Sequence, residues 1–98
     1  MTRTTQLRVY TVRAGLLDEW ADKWRKLVVP LRQQFGFEIQ GAWMDRDRNQ
    51  FFWILSYAGA ENFAEINERY WASPERERIG LDHRDYVVKT EVREVDEA

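Results

Sequence analysis

The sequence predicts a ferredoxin-like α+β sandwich of βαββαβ order, a four-stranded antiparallel sheet with both helices on one face. Three observations carry that reading. Hydrophobic periodicity switches between two and about 3.6 residues in the order strand, helix, strand, strand, helix, strand. The two middle strands are joined by a short polar run, "DRDRN", that suits a hairpin loop. Right-handed crossovers applied to that order leave this sandwich as the simplest topology.

Each element has its own signal. "QLRVYTV", Gln6 to Val12, alternates Leu7, Val9 and Thr11 against Arg8, Tyr10 and Val12 and reads as the first strand. After the turn at "RAG", Leu16, Trp20, Trp24, Leu27, Val28, Leu31 and Phe35 recur at spacings of three and four, one face of a helix. Asp18 and Glu19 suit the positive end of that helix, and Gly36 suits its left-handed stop. Pro30 removes a backbone donor and clashes with the preceding turn, at about 3 kcal/mol in a regular helix, so a kink is expected there within one helix.

"FEIQGAWMD", Phe37 to Asp45, follows as the second strand, with Ile39, Gly41 and Trp43 alternating against Gln40, Ala42 and Met44. The third is "QFFWILSYA", Gln50 to Ala58. The second helix runs from Ala60 to Ser73, with Phe63, Ile66 and Tyr70 at helical spacing and Pro74 beyond its end. "DYVVKTEVREV", Asp85 to Val95, sets Tyr86, Val88, Thr90 and Val92 against Val87, Lys89, Glu91 and Arg93, a fourth strand with one wet face for most of its length.

The third strand raises a question of cover. It sets Phe51, Trp53, Leu55 and Tyr57 on one face and Phe52, Ile54 and Ser56 on the other, so both faces are apolar. The helices cover one side. A soluble monomer rarely exposes such an area, so a homodimer packed through its sheet faces is expected. Period two alone does not say which face meets the helices.

Composition narrows the function. Ninety-eight residues make a single domain, 1–98, and 44% hydrophobic with 33% charged residues describe a folded globular chain. The net charge of −2, with basic and acidic residues interleaved, argues against a nucleic-acid binder. The absence of cysteine excludes disulfides, thiolate catalysis and cysteine-ligated metals. The start "MTRTTQLRVY" has no basic region leading into an apolar run, and no window reaches the roughly 20 apolar residues of a membrane span, so a cytoplasmic location is expected.

The ordered set "LRVYTVRAGLLDEWADKWRKLVVPLRQQFGFEIQGAW" and "FFWILSYAGAENFAE" resembles a NIPSNAP-family domain, one of the dimeric α+β barrel proteins. The resemblance covers roughly residues 7 to 75. It rests on Tyr10, Gly15, Pro30, Gly36, Gly41, Trp43 and Tyr57, while "WASPERERIGLDHRDYV" matches only loosely. It implies a homodimer whose sheets face each other. The wider group includes cofactor-independent monooxygenases of aromatic polyketides, cyclases, haem-degrading enzymes and noncatalytic members. The haem branch implies an Asn, Trp and His set, and this first strand has no Asn.

His83, in "LDHRDY", is the one side chain with an ordinary pKa near neutrality and hence the candidate catalytic base; a solvated loop histidine is the bland alternative. Asp82, His83 and Asp85 do not naturally converge on a metal, and none is expected. Tyr10, Trp43, Trp53, Tyr57 and Tyr86 are the candidate ligand-binding residues, for a flat apolar or aromatic molecule in a cavity between sheet and helices. Filling the core and dimer interface is the ordinary role of rings at strand period, and Trp20 and Trp24 read as core.

Arg8 and Arg13 flank the first strand and read as surface charge, with an anionic ligand as the alternative, and "ERER" reads as a solvated helical turn. No nucleotide, serine-hydrolase or zincin motif appears, so no cofactor is expected. The reading is a small-molecule binder. Its competitors are a cofactor-independent oxygenase or cyclase with His83 as base, and a noncatalytic homodimeric interaction module.

Overall fold

A computed structural model describes residues 3–98. The strands are β1 (Thr4–Val12), β2 (Glu38–Asp45), β3 (Gln50–Tyr57) and β4 (Val87–Val95). They form one antiparallel sheet in the order β2-β3-β1-β4. The helices are α1 (Leu17–Lys23) and α2 (Val29–Gln34), joined without a break by a π-helical turn (Trp24–Val28), then α3 (Phe63–Ala72) and a short α4 (Pro74–Arg78). This is the expected ferredoxin-like sandwich. No helix among the described residues is long and apolar enough to cross a membrane.

The helix layer covers the face of β3 that carries Phe51, Trp53, Leu55 and Tyr57, all buried. Phe52 and Ile54, on the other face, are only half-buried. Tyr10 and Val12 of β1 join the core from the same side as Trp53. Leu17, Trp20, Ala21, Trp24, Val28 and Leu31 supply the opposing helix stripe. Burial of these rings is the main stabilising term, at roughly 25 cal/mol per Å² of apolar surface.

Two bulges shift the alternation that the sequence suggests. In β2 the pairing moves from Ile39 opposite Leu55 to Gly41 opposite Ile54, leaving Gln40 unpaired. Ile39, Ala42 and Met44 therefore share the helix side with Leu55, Trp53 and Phe51, while Trp43 lies opposite Phe52 on the outer face. In β4, Val88 drops out of register between Val87 and Lys89, so Val87, Thr90 and Val92 share the side of Val12, Tyr10 and Arg8. β4 is wet on both faces beyond Val87, because it is an edge strand that the helices do not reach; Val92 is 45% exposed.

The irregularity expected at Pro30 takes the form of the π turn. Proline offers no N–H to the carbonyl one turn back and its ring presses on that carbonyl. The wider turn, in which the Val29 N–H reaches Trp24 O, relieves both. It also rotates the helix beyond it. Over the eight residues from Trp24 to Arg32, a regular α-helix at about 100° per residue would drift roughly 80°. The under-wound turn takes most of that drift back, and Arg32 comes to lie in line with Trp24 and Val28, fully buried.

Candidate functional site

The aromatic face of the sheet and the helix stripe meet around a narrow chamber. Tyr10 and Trp53 form its floor, with ring centroids 6.0 Å apart and nearly perpendicular. Trp20 packs 5.8 Å from Tyr10, and Trp24 packs 5.4 Å from Trp53. Arg32, Tyr70, Trp71, Arg76 and His83 close the other end. The free volume left at the centre is about 10 Å³, near what one water needs.

α4 and the turn after it complete the wall. Ser73 ends α3 by donating to Tyr70 O at 2.7 Å and starts α4 by accepting from Arg76 N at 3.1 Å. Gly80, at φ +66°, turns the chain back so that Leu81 O accepts from Arg76 Nη1 at 2.7 Å. The 3₁₀ turn His83–Asp85 follows, and the His83 ring sits 5.2 Å from Trp71. Outside this pair lies an open cleft of about 650 Å³, lined among others by Ala72, Ser73, Leu81 and Arg84. Trp71, Arg76 and His83 line both spaces, and so form the wall between them.

Three arginines are buried beside this chamber, and sequence reasoning assigned none of them there. Arg8 donates from Nε to Tyr10 Oη at 3.1 Å and from Nη1 to Gln6 Oε1 at 2.7 Å. Arg32 donates from Nη1 to Asn67 Oδ1 at 2.7 Å, and its guanidinium lies 3.8 Å from the centre of the Tyr70 ring. Arg76 packs 4.7 Å from the Trp71 ring. None of the three forms an ion pair with a carboxylate of the described residues. Burial pushes Arg32 down to about 10, with Arg8 and Arg76 also lowering it and Tyr70 opposing. Ring faces offset part of such a cost, though burying a charge without its counterion remains unfavourable.

The indole and guanidinium donors repeat the pattern. Trp20 Nε1, Trp24 Nε1, Trp53 Nε1, Arg32 Nε and Arg76 Nε are buried and have no acceptor among the described residues. All five belong to side chains lining this one chamber. Buried donors are nearly always paired, so five at one place mark a site short of acceptors.

Of the residues singled out from sequence, Tyr10, Trp53 and His83 come together here. Tyr57 does not: it lies on the helix side but packs against Phe37 at 5.4 Å, toward the α3 start. Tyr86 donates to a Glu19 carboxylate oxygen and stacks 5.8 Å from Trp20, outside the chamber lining. Trp43 is 56% exposed on the outer face, and the bulge at Gln40 is the reason. "ERER" is helical but not wholly solvated, because Arg76 turns inward. Arg8, read as surface charge, is buried by its register opposite Trp53, on the helix side.

His83 is half-buried, and that burial lowers its pKa from 6.5, helped by Arg76 and opposed by Asp82. The Asp82 carboxylate is engaged by Arg84 Nε at 3.0 Å and Nη2 at 2.9 Å, which lowers it to about 2. No group of three acidic, histidine or cysteine side chains among the described residues is placed to hold a metal.

The family model for NIPSNAP matches residues 5–95. The chain belongs to the NIPSNAP family. Solved structures of similar fold include a NIPSNAP-family protein of unknown function from Agrobacterium tumefaciens, at TM-score 0.83 and 16% identity, covering 98% of this chain and 88% of that one. A second is an uncharacterized NIPSNAP-like domain protein from Burkholderia xenovorans, at TM-score 0.82 and 15% identity, covering 98% and 85%. The fold is also that of a candidate antibiotic biosynthesis monooxygenase from Bacteroides thetaiotaomicron, at TM-score 0.71 and 16% identity, covering 98% and 90%. A search of curated proteins finds no match. At these identities the likeness of this NIPSNAP domain to solved structures is one of fold alone.

Proposed function

We propose that this NIPSNAP domain binds a small, flat apolar or aromatic molecule between its sheet and helices. One observation carries the reading: the outer cleft and the aromatic chamber share Trp71, Arg76 and His83, so displacing one ring pair joins them. Trp71 is 40% exposed and is not a member of the buried core cluster. Replacing Trp71 with Ala is expected to weaken binding of an aromatic ligand about tenfold, since one aromatic pair contributes roughly 0.5–1.5 kcal/mol beyond the area it buries. Fluorescence titration of a panel of flat ligands against both proteins measures it. Equal affinities would remove Trp71, and the doorway with it.

A catalytic reading is favoured by one further feature. His83 stands at the wall of both spaces, and its lowered pKa keeps the imidazole neutral and able to accept a proton at pH 7. In that reading the domain is a cofactor-independent monooxygenase or cyclase acting on an aromatic, polyketide-like substrate, with Tyr10 or a tryptophan orienting it.

We also infer that a second copy of the chain covers the outer sheet face, whether or not the domain is an enzyme. Leu7, Val9, Phe52 and Ile54 form its half-buried centre, and Trp43 stands exposed beside Phe52. Sedimentation at micromolar concentration is expected to give twice the 11.8 kDa chain mass, and Phe52→Glu to give the single mass. A wild type that sediments as one chain would sink the dimer.

A further inference from the structure

We infer that the chamber seats the carboxylate of a small organic acid, whose apolar body lies along Trp71 in the outer cleft. This rests on the small-molecule reading above and names the chemistry of the ligand's polar end. The buried lining is rich in N–H donors and poor in free acceptors: three indole and two guanidinium Nε groups are unpaired. Arg8, Arg32 and Arg76 bring positive charge with no carboxylate of the described residues to meet it. A ligand that supplies only acceptors and one negative charge answers both deficits at once.

Shape selects among anions. The rings around the space pack directly on one another at centroid distances of 5.4 to 6.0 Å and leave only about 10 Å³, so a small flat carboxylate displaces the lining less than a bulkier tetrahedral phosphate. The chamber is nearly filled in the closed arrangement, so the acid enters as Trp71 and His83 part. Its charge then lies near His83, which already faces Arg76, with Asp82 and Arg84 beside it in the chain.

The test compares acids with their neutral isosteres: benzoate with benzamide, 1-naphthoate with 1-naphthamide, and indole-3-acetate with indole-3-acetamide, with phenyl phosphate alongside. In wild type, at least one carboxylate is expected to bind about tenfold or more tighter than its amide, a charge-assisted hydrogen bond being roughly twice as strong as a neutral one. Its binding should also raise the His83 pKa in an NMR titration, which the amide should not do. Arg32→Met, close in volume, is expected to bring acid and amide to the same affinity while raising the thermal midpoint of the free protein, because it removes an uncompensated buried charge. Arg76→Met should narrow the same ratio should the first variant fold poorly.

Acids and amides that bind wild type equally would keep the small-molecule site and overturn the carboxylate. Preference for phenyl phosphate over every carboxylate would overturn the carboxylate in favour of a phosphate ester. Binding of no member of the panel would overturn both the carboxylate and the small-molecule reading beneath it.

Discussion

Trp53→Ala is expected to destabilise the domain by about 3–5 kcal/mol, the range for deleting a large buried ring. Trp53 is 1% exposed, packs on Tyr10 and Trp24, and lies 5.5 Å from the Arg8 guanidinium and 5.9 Å from that of Arg32. Its loss therefore opens a cavity and uncovers two cations together. Domains of this size hold only about 5–15 kcal/mol in total. At about 4–8 °C per kcal/mol, the midpoint should fall by roughly 12–40 °C, as read by circular dichroism or calorimetry. Trp53→Phe keeps a ring and should lose less than half as much. A fall of only a few degrees for the alanine variant would mean that the chamber floor is not part of the core.

If the domain turns over an aromatic substrate, His83→Ala is expected to lower turnover by about 10²–10⁴-fold, the usual contribution of a positioned general base. Binding should change far less, because the ring lines the wall rather than the floor. The pH profile carries a sign. Burial places the His83 pKa below 6.5, so the free base persists to lower pH than for a solvated imidazole, and turnover should fall only as pH drops through that lowered value. The same shift bears on folding. Between 6.5 and the lowered value the unfolded chain binds the proton that the folded chain resists, so His83 withdraws stability as pH falls across that window. Unchanged turnover in the alanine variant, on a substrate the wild type converts, would reject His83 as the base.

Much of the fold was legible because its signals are local. Period two in "QFFWILSYA" marked a strand needing cover on both faces, and tryptophans four apart marked the first helix. Gly36 does adopt the left-handed conformation that its helix end required, at φ +90°. What escaped is set by events one residue long. The bulge at Gln40 has one mark, the strand-interior Gly41 beside it, and that at Val88 has none, and each reverses the faces of the residues beyond it. That is why Trp43 was grouped with the pocket and lies outside it.

The chamber's lining was partly legible. Tyr10, Trp53 and His83, singled out by residue type, all line it, but the arginines were discounted because exposed charge is the ordinary case. Arg32 did carry a signal: Trp20, Trp24, Val28 and Arg32 recur at intervals of four, so the cation continues an apolar row. Arg76 carried none, since its burial depends on Ser73, Gly80 and Leu81 folding back around a five-residue helix.

The π turn at Trp24–Val28 has the geometry of a single residue inserted into an otherwise regular helix. In such a rod, residue numbering and angular position part company halfway along. An alignment that carries a straight helix through this stretch without a gap will therefore set Arg32 against positions on a solvent-facing side. Compared in that way, the buried cation looks like one more variable surface charge. Relatives that share the chamber should be sought with a one-residue gap allowed between the second tryptophan and the proline, where this chain keeps its extra step.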